Sequence, residues 1–248
     1  MSSSNTASDE LRERVTDYCN HFRNIPDIES VKNLLTKVSE DQRYELLSSI
    51  TDSAGDEVLT VAAWRGHTEL CVTLLSSIPP ADRRKLILVN KDTALHWAAY
   101  RGCTDTVLGI LSCLTADQRL QLLFTQNSDG YTALHDAARN GRTQTVRILL
   151  DNLTPEQQLQ LLPVQNIHGA TALHYAAQRG HTESAKTLLD NLTPEQQLKL
   201  LSVKNKEGKT ASQVSKGYDG TTYMMRTLDH YQKEAHYGVN FRKFAKFS

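Results

Sequence analysis

The sequence predicts an all-α protein, a solenoid in which antiparallel helix pairs are stacked one on the next. The first observation is that the tetrapeptide Thr-Ala-Leu-His begins at Thr93, Thr132 and Thr171, at a constant spacing of 39 residues. The second is that each spacing contains two short helical patterns separated by glycine. A fixed period of this length is typical of chains whose units bury their apolar faces only against neighbouring units.

Each unit begins with a short helix and continues into a second one. In the unit that begins at Thr132, the threonine is a suitable N-cap and Gly141 a suitable stop. A later stretch places Val146, Leu149 and Leu150 on one apolar stripe, at the spacing of a half-buried helix. Neither helix can bury its apolar face alone, so the pattern predicts that adjacent units supply the core.

The sequence around the repeated tetrapeptide resembles a known family. Residues 129–141 read Asp-Gly-Tyr-Thr-Ala-Leu-His-Asp-Ala-Ala-Arg-Asn-Gly, which resembles the ankyrin repeat and its Thr-Pro-Leu-His-x-Ala signature. Alanine replaces the signature proline, a change that the first turn of a helix accepts. The resemblance extends over residues 57–235 and implies an ankyrin-type array that binds protein partners. It also implies that the repeated histidines His96, His135 and His174 support the turns by hydrogen bonding.

The repeat is longer than that of the family, which is about 33 residues, and the additional residues have a helical pattern of their own. Residues 154–157 read Thr-Pro-Glu-Gln, which combines a threonine N-cap, proline at N1 and glutamine at N3. The pattern recurs from Thr115 and Thr193 and more loosely from Ser39. We therefore expect an extra short helix per repeat, lying across the edge of the stack.

The repeats divide the chain into consecutive segments. A solenoid needs terminal units with one polar face, and polar residues replace the apolar first helix after Thr210. The expected segments are a disordered N-terminus (1–7), N-terminal capping helices (8–56), four repeats (57–92, 93–131, 132–170 and 171–209), a C-terminal capping repeat (210–235) and a basic and aromatic tail (236–248).

Candidate partner contacts lie where the repeat pattern leaves the residue type open, beside the alanine pair of each first helix and at the turn tips. These positions hold both tryptophans, several tyrosines and a recurring arginine, residue types that are enriched in binding hot spots. The arginines predict an acidic or phosphorylated peptide partner. The alternative is that the aromatic rings pack on neighbouring helices and the arginines are solvated. The candidates are Trp64, Arg65, Trp97, Tyr100, Arg101, Tyr131, Asp136, Arg139, Asn140, His168, Tyr175, Gln178 and Arg179.

The sequence offers no motif for other classes of function. It contains no HExxH, GxSxG, phosphate-binding glycine loop or zinc-type Cys/His spacing, which predicts no enzyme, no metal and no cofactor. Lys+Arg and Asp+Glu both total 28 and form no basic stripe, which argues against nucleic-acid binding. With no signal-peptide pattern and no apolar run of about 18 residues, we expect a soluble monomer in the cytoplasm or the nucleus.

The C-terminal tail allows an alternative function. Phe241, Phe244 and Phe247 recur every third residue, with basic residues between them. As a helix, this segment would present three aromatic rings on one face with basic flanks, a pattern that docks in a partner groove or on an anionic membrane. The tail could instead cover the last repeat or be disordered. The main prediction is a protein-binding scaffold or adaptor, and the alternative is a membrane-associated adaptor.

Overall fold

The structure, a computed structural model, describes residues 2–20, 27–88, 92–214 and 221–245. Within these residues it contains seventeen α-helices and no β-strand, which confirms the all-α prediction. None of the described helices is long and apolar enough to cross a membrane. The chain divides into two compact units, residues 1–127 (unit 1) and 128–248 (unit 2).

Unit 1 begins with a helix pair and a short third helix, and two complete helix triplets follow. In each triplet we distinguish a first helix, a second helix and an inserted helix. The bounds are α1 Ser2–Asn20, α2 Ile28–Lys37, α3 Glu40–Ser48, α4 Val58–Arg65, α5 Thr68–Ser76, α6 Pro80–Ile87, α7 Ala94–Arg101, α8 Thr104–Ser112 and α9 Ala116–Leu123.

Unit 2 contains two further triplets of the same order, followed by a short helix and a long one. The bounds are α10 Ala133–Arg139, α11 Thr143–Asp151, α12 Pro155–Leu161, α13 Ala172–Gln178, α14 Thr182–Leu189, α15 Pro194–Leu201, α16 Ala211–Val214 and α17 Thr221–Ala245.

Helices of the same kind pack on each other within each unit. First helix α4 packs on α7 and second helix α5 on α8, while in unit 2 α10 packs on α13 and α11 on α14. The alanine pair of each first helix is fully buried, which lets the backbones approach closely. Hydroxyl contacts join the second helices, between Thr68 and Thr106 at 2.8 Å and between Thr143 and Ser184 at 3.0 Å. Within each unit, the repeats therefore stack through matching elements.

The inserted helices are present, which confirms the prediction of an extra short helix per repeat. The three threonine N-caps of α9, α12 and α15 form reciprocal capping boxes with glutamine at N3. Inserted helices also bond to the neighbouring triplet. Gln118 Nε2 donates to the carbonyl oxygen of Pro80 at 2.7 Å, and Arg83 Nη1 donates to that of Cys113 at 2.8 Å. The additional residues of each repeat thus contribute to the contact between repeats.

The two ends of the chain differ from the sequence prediction. Helix α1 begins at Ser2, so residues 2–7, expected to be disordered, belong to it. The reason is that Ala7 is 4% exposed and lies four residues before the buried Leu11, which extends the apolar stripe. Helix α17 runs to Ala245, so the C-terminal cap and most of the tail share one helix. It contains Phe241 and Phe244, whereas Phe247 lies outside the described residues.

Replacing Thr154 by alanine is expected to lower the free energy of unfolding by about 1 kcal/mol. The substitution removes the oxygen that accepts from the Gln157 amide at 3.3 Å. Ser39→Ala is the matched control, because Ser39 is the N-cap of α3 but makes no side-chain capping bond. Urea unfolding monitored by circular dichroism measures both variants. Equal losses would mean that the capping boxes do not stabilise the inserted helices.

Candidate functional site

His135 and His174 join the first helices of unit 2 to the turn that follows each of them in the next repeat. His135 Nδ1 lies 3.2 Å from the amide nitrogen and 2.9 Å from the hydroxyl of Thr132, and its Nε2 lies 3.2 Å from the carbonyl oxygen of Ala170. His174 Nε2 repeats this contact with the carbonyl oxygen of Lys209 at 3.1 Å. Burial lowers the pKa of His174, so the ring is neutral and uses both nitrogens in these bonds. The predicted structural role is confirmed for His135 and His174, and His96 shows the contact with its own N-cap, with Nδ1 lying 2.8 Å from the Thr93 hydroxyl.

Metal binding finds no support in this geometry. Within the described part of the chain, no group of three or more His, Cys, Asp or Glu side chains could hold a metal ion.

The turns between the repeats of unit 2 stack on each other through their backbones. The amide of Ile167 donates to the carbonyl oxygen of Asp129 at 3.1 Å, and the amide of Lys206 donates to that of His168 at 3.0 Å. These bonds place equivalent turns side by side, one repeat apart. The His168 side chain is exposed at such a turn.

Tyr131 and Tyr175 form a buried cluster with an arginine above it. They are 7% and 8% exposed, their ring centroids are 5.1 Å apart, and the Tyr131 hydroxyl donates to that of Tyr175 at 2.6 Å. Asn166 Nδ2 also donates to the Tyr175 hydroxyl, at 2.8 Å. Burial and the bond to Tyr175 raise the pKa of Tyr131, so its hydroxyl stays protonated. The Arg139 guanidinium lies 5.6 Å and 5.8 Å from the two ring centroids.

This burial corrects several of the predicted partner contacts. Tyr131, Asp136 and Tyr175 are each at most 8% exposed. The two tyrosine rings lie against each other and their hydroxyls are hydrogen-bonded together, which turns them away from a partner. Asn140 is half-buried and donates to the carbonyl oxygen of Asp136 at 2.8 Å, which caps the end of α10. Arg139 is half-buried above the tyrosines. These residues stabilise the surface of unit 2 and present little of it to a partner.

The remaining predicted residues of unit 2 are exposed. His168 and Gln178 line a cavity of about 330 Å³, together with Lys206 and Lys209. Arg179 is exposed directly after α13.

Unit 1 holds four predicted residues on one surface of α4 and α7, namely Trp64, Trp97, Tyr100 and Arg101, which we call the aromatic surface. The Arg101 guanidinium lies 4.9 Å from the Trp64 ring centroid, a cation–π contact. The Trp97 and Tyr100 rings meet edge to face with centroids 5.9 Å apart. Tyr100 is 40% exposed, Arg101 is exposed and both tryptophans are half-buried.

Arg65 has a different role from the one predicted. Its Nη2 donates to the carbonyl oxygen of Cys19 at 2.9 Å and its Nη1 donates to that of Tyr18. The guanidinium also lies 4.8 Å from the Tyr18 ring centroid. Because its donors bond to the last turn of α1, Arg65 links α4 to α1 and is not a free contact for an anionic partner.

Residues 119–199 match the family model of ankyrin repeats, in three copies. Residues 119–199 therefore consist of ankyrin repeats. A comparison with curated proteins found no match.

The match begins in α9 and ends in α15, and the same order of first, second and inserted helix recurs from α4 to α9. Ankyrin repeats are characteristic of protein–protein interaction scaffolds and are typically non-catalytic. What distinguishes these ankyrin repeats from the family is the inserted helix that follows each helix pair.

Sequence reasoning missed a cavity beside the aromatic surface. Asn20, Asp52 and Asp56 line it together with both tryptophans. The sequence contains a pattern that could have located the acidic turn. Residues 52–55 read Asp-Ser-Ala-Gly and residues 166–169 read Asn-Ile-His-Gly, so that in both segments Asp or Asn stands three residues before glycine. Both segments are turns that precede a first helix.

Proposed function

We propose that this protein is a scaffold that binds a protein partner through the aromatic surface of unit 1. The observation that carries the proposal is the 40% exposure of Tyr100 beside two half-buried tryptophans and an exposed arginine. Trp, Tyr and Arg are the residue types most enriched at binding hot spots, because they supply apolar area together with hydrogen-bonding groups. Two contacting pairs of such side chains, Arg101 with Trp64 and Trp97 with Tyr100, therefore offer an anchor for a partner.

The arginine of this surface is already ordered. Arg101 lies over the Trp64 ring, so less side-chain entropy is lost when it contacts a partner. A guanidinium can pair with a carboxylate or a phosphate through two hydrogen bonds. Exposed Arg101 therefore supports an acidic or phosphorylated residue in the partner at this surface. Exposed Arg179 of unit 2 is proposed separately as a position for the same kind of contact.

A photo-crosslinking amino acid at position 100 tests the proposed surface. Irradiation of cells that produce the protein is expected to give a discrete covalent adduct, identified by mass spectrometry. Position 108 is the matched control, because Leu108 is 42% exposed but lies on second helix α8 of the same repeat. An adduct at position 108 and none at position 100 would move the interface to the second helices, and no adduct at either would leave the aromatic surface without a partner.

The membrane alternative has one observation in its favour, which is that the tail segment up to Ala245 is helical. Amphipathic helices with basic flanks bind anionic bilayers. Sedimentation with vesicles of anionic phospholipid, with and without residues 238–248, decides between the two functions. Loss of sedimentation on truncation supports the membrane-associated adaptor, and no sedimentation of the full chain removes it.

A further inference from the structure

The cavity beside the aromatic surface has a volume of about 490 Å³, within the range of pockets that hold small ligands or side chains. Trp64 of α4 and Trp97 of α7 line one part of it. Asp52, Ser53 and Asp56, from the turn that precedes α4, line another. The sequence contains two tryptophans, and both of them line this cavity.

The charge in this cavity is negative. Arg65 is the one cation among its described lining residues, and its guanidinium bonds to the carbonyl oxygens of α1. Burial raises the pKa of the Cys19 thiol to about 12, so this lining residue adds no charge. Partial burial and the nearby Asp52 carboxylate raise the pKa of Asp56, and no ion pair of either carboxylate with a cation occurs among the described residues.

The charge of Asp52 exceeds what the turn requires. Asp52 Oδ1 accepts from the amides of Ala54 and Asp56, at 2.8 Å and 2.9 Å. In the equivalent turns of unit 2, Asn166 and Asn205 make the same pair of bonds with a neutral amide oxygen. An asparagine at position 52 would therefore close the turn equally well. The carboxylate adds a negative charge at the edge of an aromatic cavity and no further hydrogen bond to the turn.

We propose that this cavity binds a basic side chain, arginine or lysine, of the partner segment that docks on the aromatic surface. The inference rests on the proposed function and specifies the chemistry of its partner. A cation gains from tryptophan rings and from nearby carboxylates, and two residues of each kind line the same space. An acidic side chain would meet two carboxylates there, so anionic contacts belong to Arg101, which is not among the residues that line the cavity.

Synthetic peptides test this assignment with the full-length protein. Three fluorescein-labelled peptides are compared, in which glycine alternates with arginine, with glutamate or with glutamine. Each is titrated with the protein, and binding is measured by fluorescence anisotropy. A second, unlabelled set reports locally through intrinsic tryptophan emission, which arises only from the cavity lining. The arginine peptide is expected to bind most tightly and to change the tryptophan emission. Its binding is expected to weaken with added salt, because salt screens the carboxylates.

The decisive variant combines Asp52→Asn with Asp56→Asn, and it is expected to lower the affinity for the arginine peptide about tenfold. It keeps the turn bonds, and it removes two like charges, so the melting temperature should not fall. The control variant combines Asp151→Asn with Asp229→Asn. It changes the net charge by the same amount at exposed positions of unit 2 and should leave binding of the arginine peptide unchanged.

Equal binding of the arginine peptide by the cavity variant and the unmodified protein, or tighter binding of the glutamate peptide, overturns the assignment. Crosslinking at position 100 with no arginine-peptide binding would leave the proposed interface standing and remove only its basic ligand.

Discussion

Replacing Gly169 by alanine is expected to lower the free energy of unfolding by about 3 kcal/mol. Gly169 has φ of +72°, in the left-handed region that residues with a Cβ avoid. A Cβ at this position would also lie 2.8 Å from the backbone nitrogen of Lys206 and 3.2 Å from the carbonyl carbon of Asn205. Both contacts are with the backbone of the next turn, which cannot move without breaking the bond between the turns.

Gly208 provides the matched control, one repeat further on. It has φ of +74°, and a Cβ there would meet nothing within 4 Å. Gly208→Ala therefore carries only the backbone cost, about 1 kcal/mol. Urea unfolding of both variants separates the cost of the left-handed conformation from the cost of separating stacked turns. A Gly208 variant as unstable as the Gly169 variant would show that close stacking of the turns contributes nothing.

Asn166→Ala is the second substitution with a large expected effect, a loss of about 3 kcal/mol. Asn166 is 6% exposed, and its Oδ1 accepts from the amides of His168 and Ala170 at 3.0 Å each. Its Nδ2 donates to the Tyr175 hydroxyl at 2.8 Å. Alanine would leave the buried Ala170 amide and the hydroxyl cluster without these partners, and a buried polar group without a hydrogen bond costs more than the bond itself contributes.

Asn205→Ala tests whether burial is the cause. Asn205 makes the same two bonds to backbone amides at 3.0 Å, but these bonds are exposed to solvent. Water can replace them, so the expected loss is about 1 kcal/mol. Thermal unfolding of the two variants measures the difference. Equal melting temperatures would contradict the importance of the tyrosine cluster below Asn166.

The stack of helices could be predicted because its determinants are close together in the sequence. A threonine N-cap, its glutamine at N3 and the histidine of the tetrapeptide act within one turn of helix, so residues such as Thr154 and His135 indicate local structure directly. Repetition of these residues at one spacing then predicts which elements meet. The inserted helices follow from the same local rule.

The exposure of individual side chains could not be predicted in this way. Trp97 and Tyr175 occupy the same position of their first helices, yet Trp97 is half-buried whereas Tyr175 is only 8% exposed. The difference depends on partners in other repeats, since Tyr175 bonds to Tyr131 from the preceding repeat. Arg65 likewise bonds to α1, which has no repeat signature and so could not be placed against it from spacing.

The hydrogen bonds between repeats also determine when the chain can fold. The bonds between His135 and Ala170 and between His181 and Arg139, for example, join residues 35 and 42 positions apart. At a synthesis rate of about 5–20 residues per second, the second partner follows the first from the ribosome within roughly 2–8 seconds. Such a chain needs no search for distant contacts, because each repeat meets its neighbour soon after both are made. Apolar surface is therefore covered during translation, and little of it is exposed to aggregation at any moment.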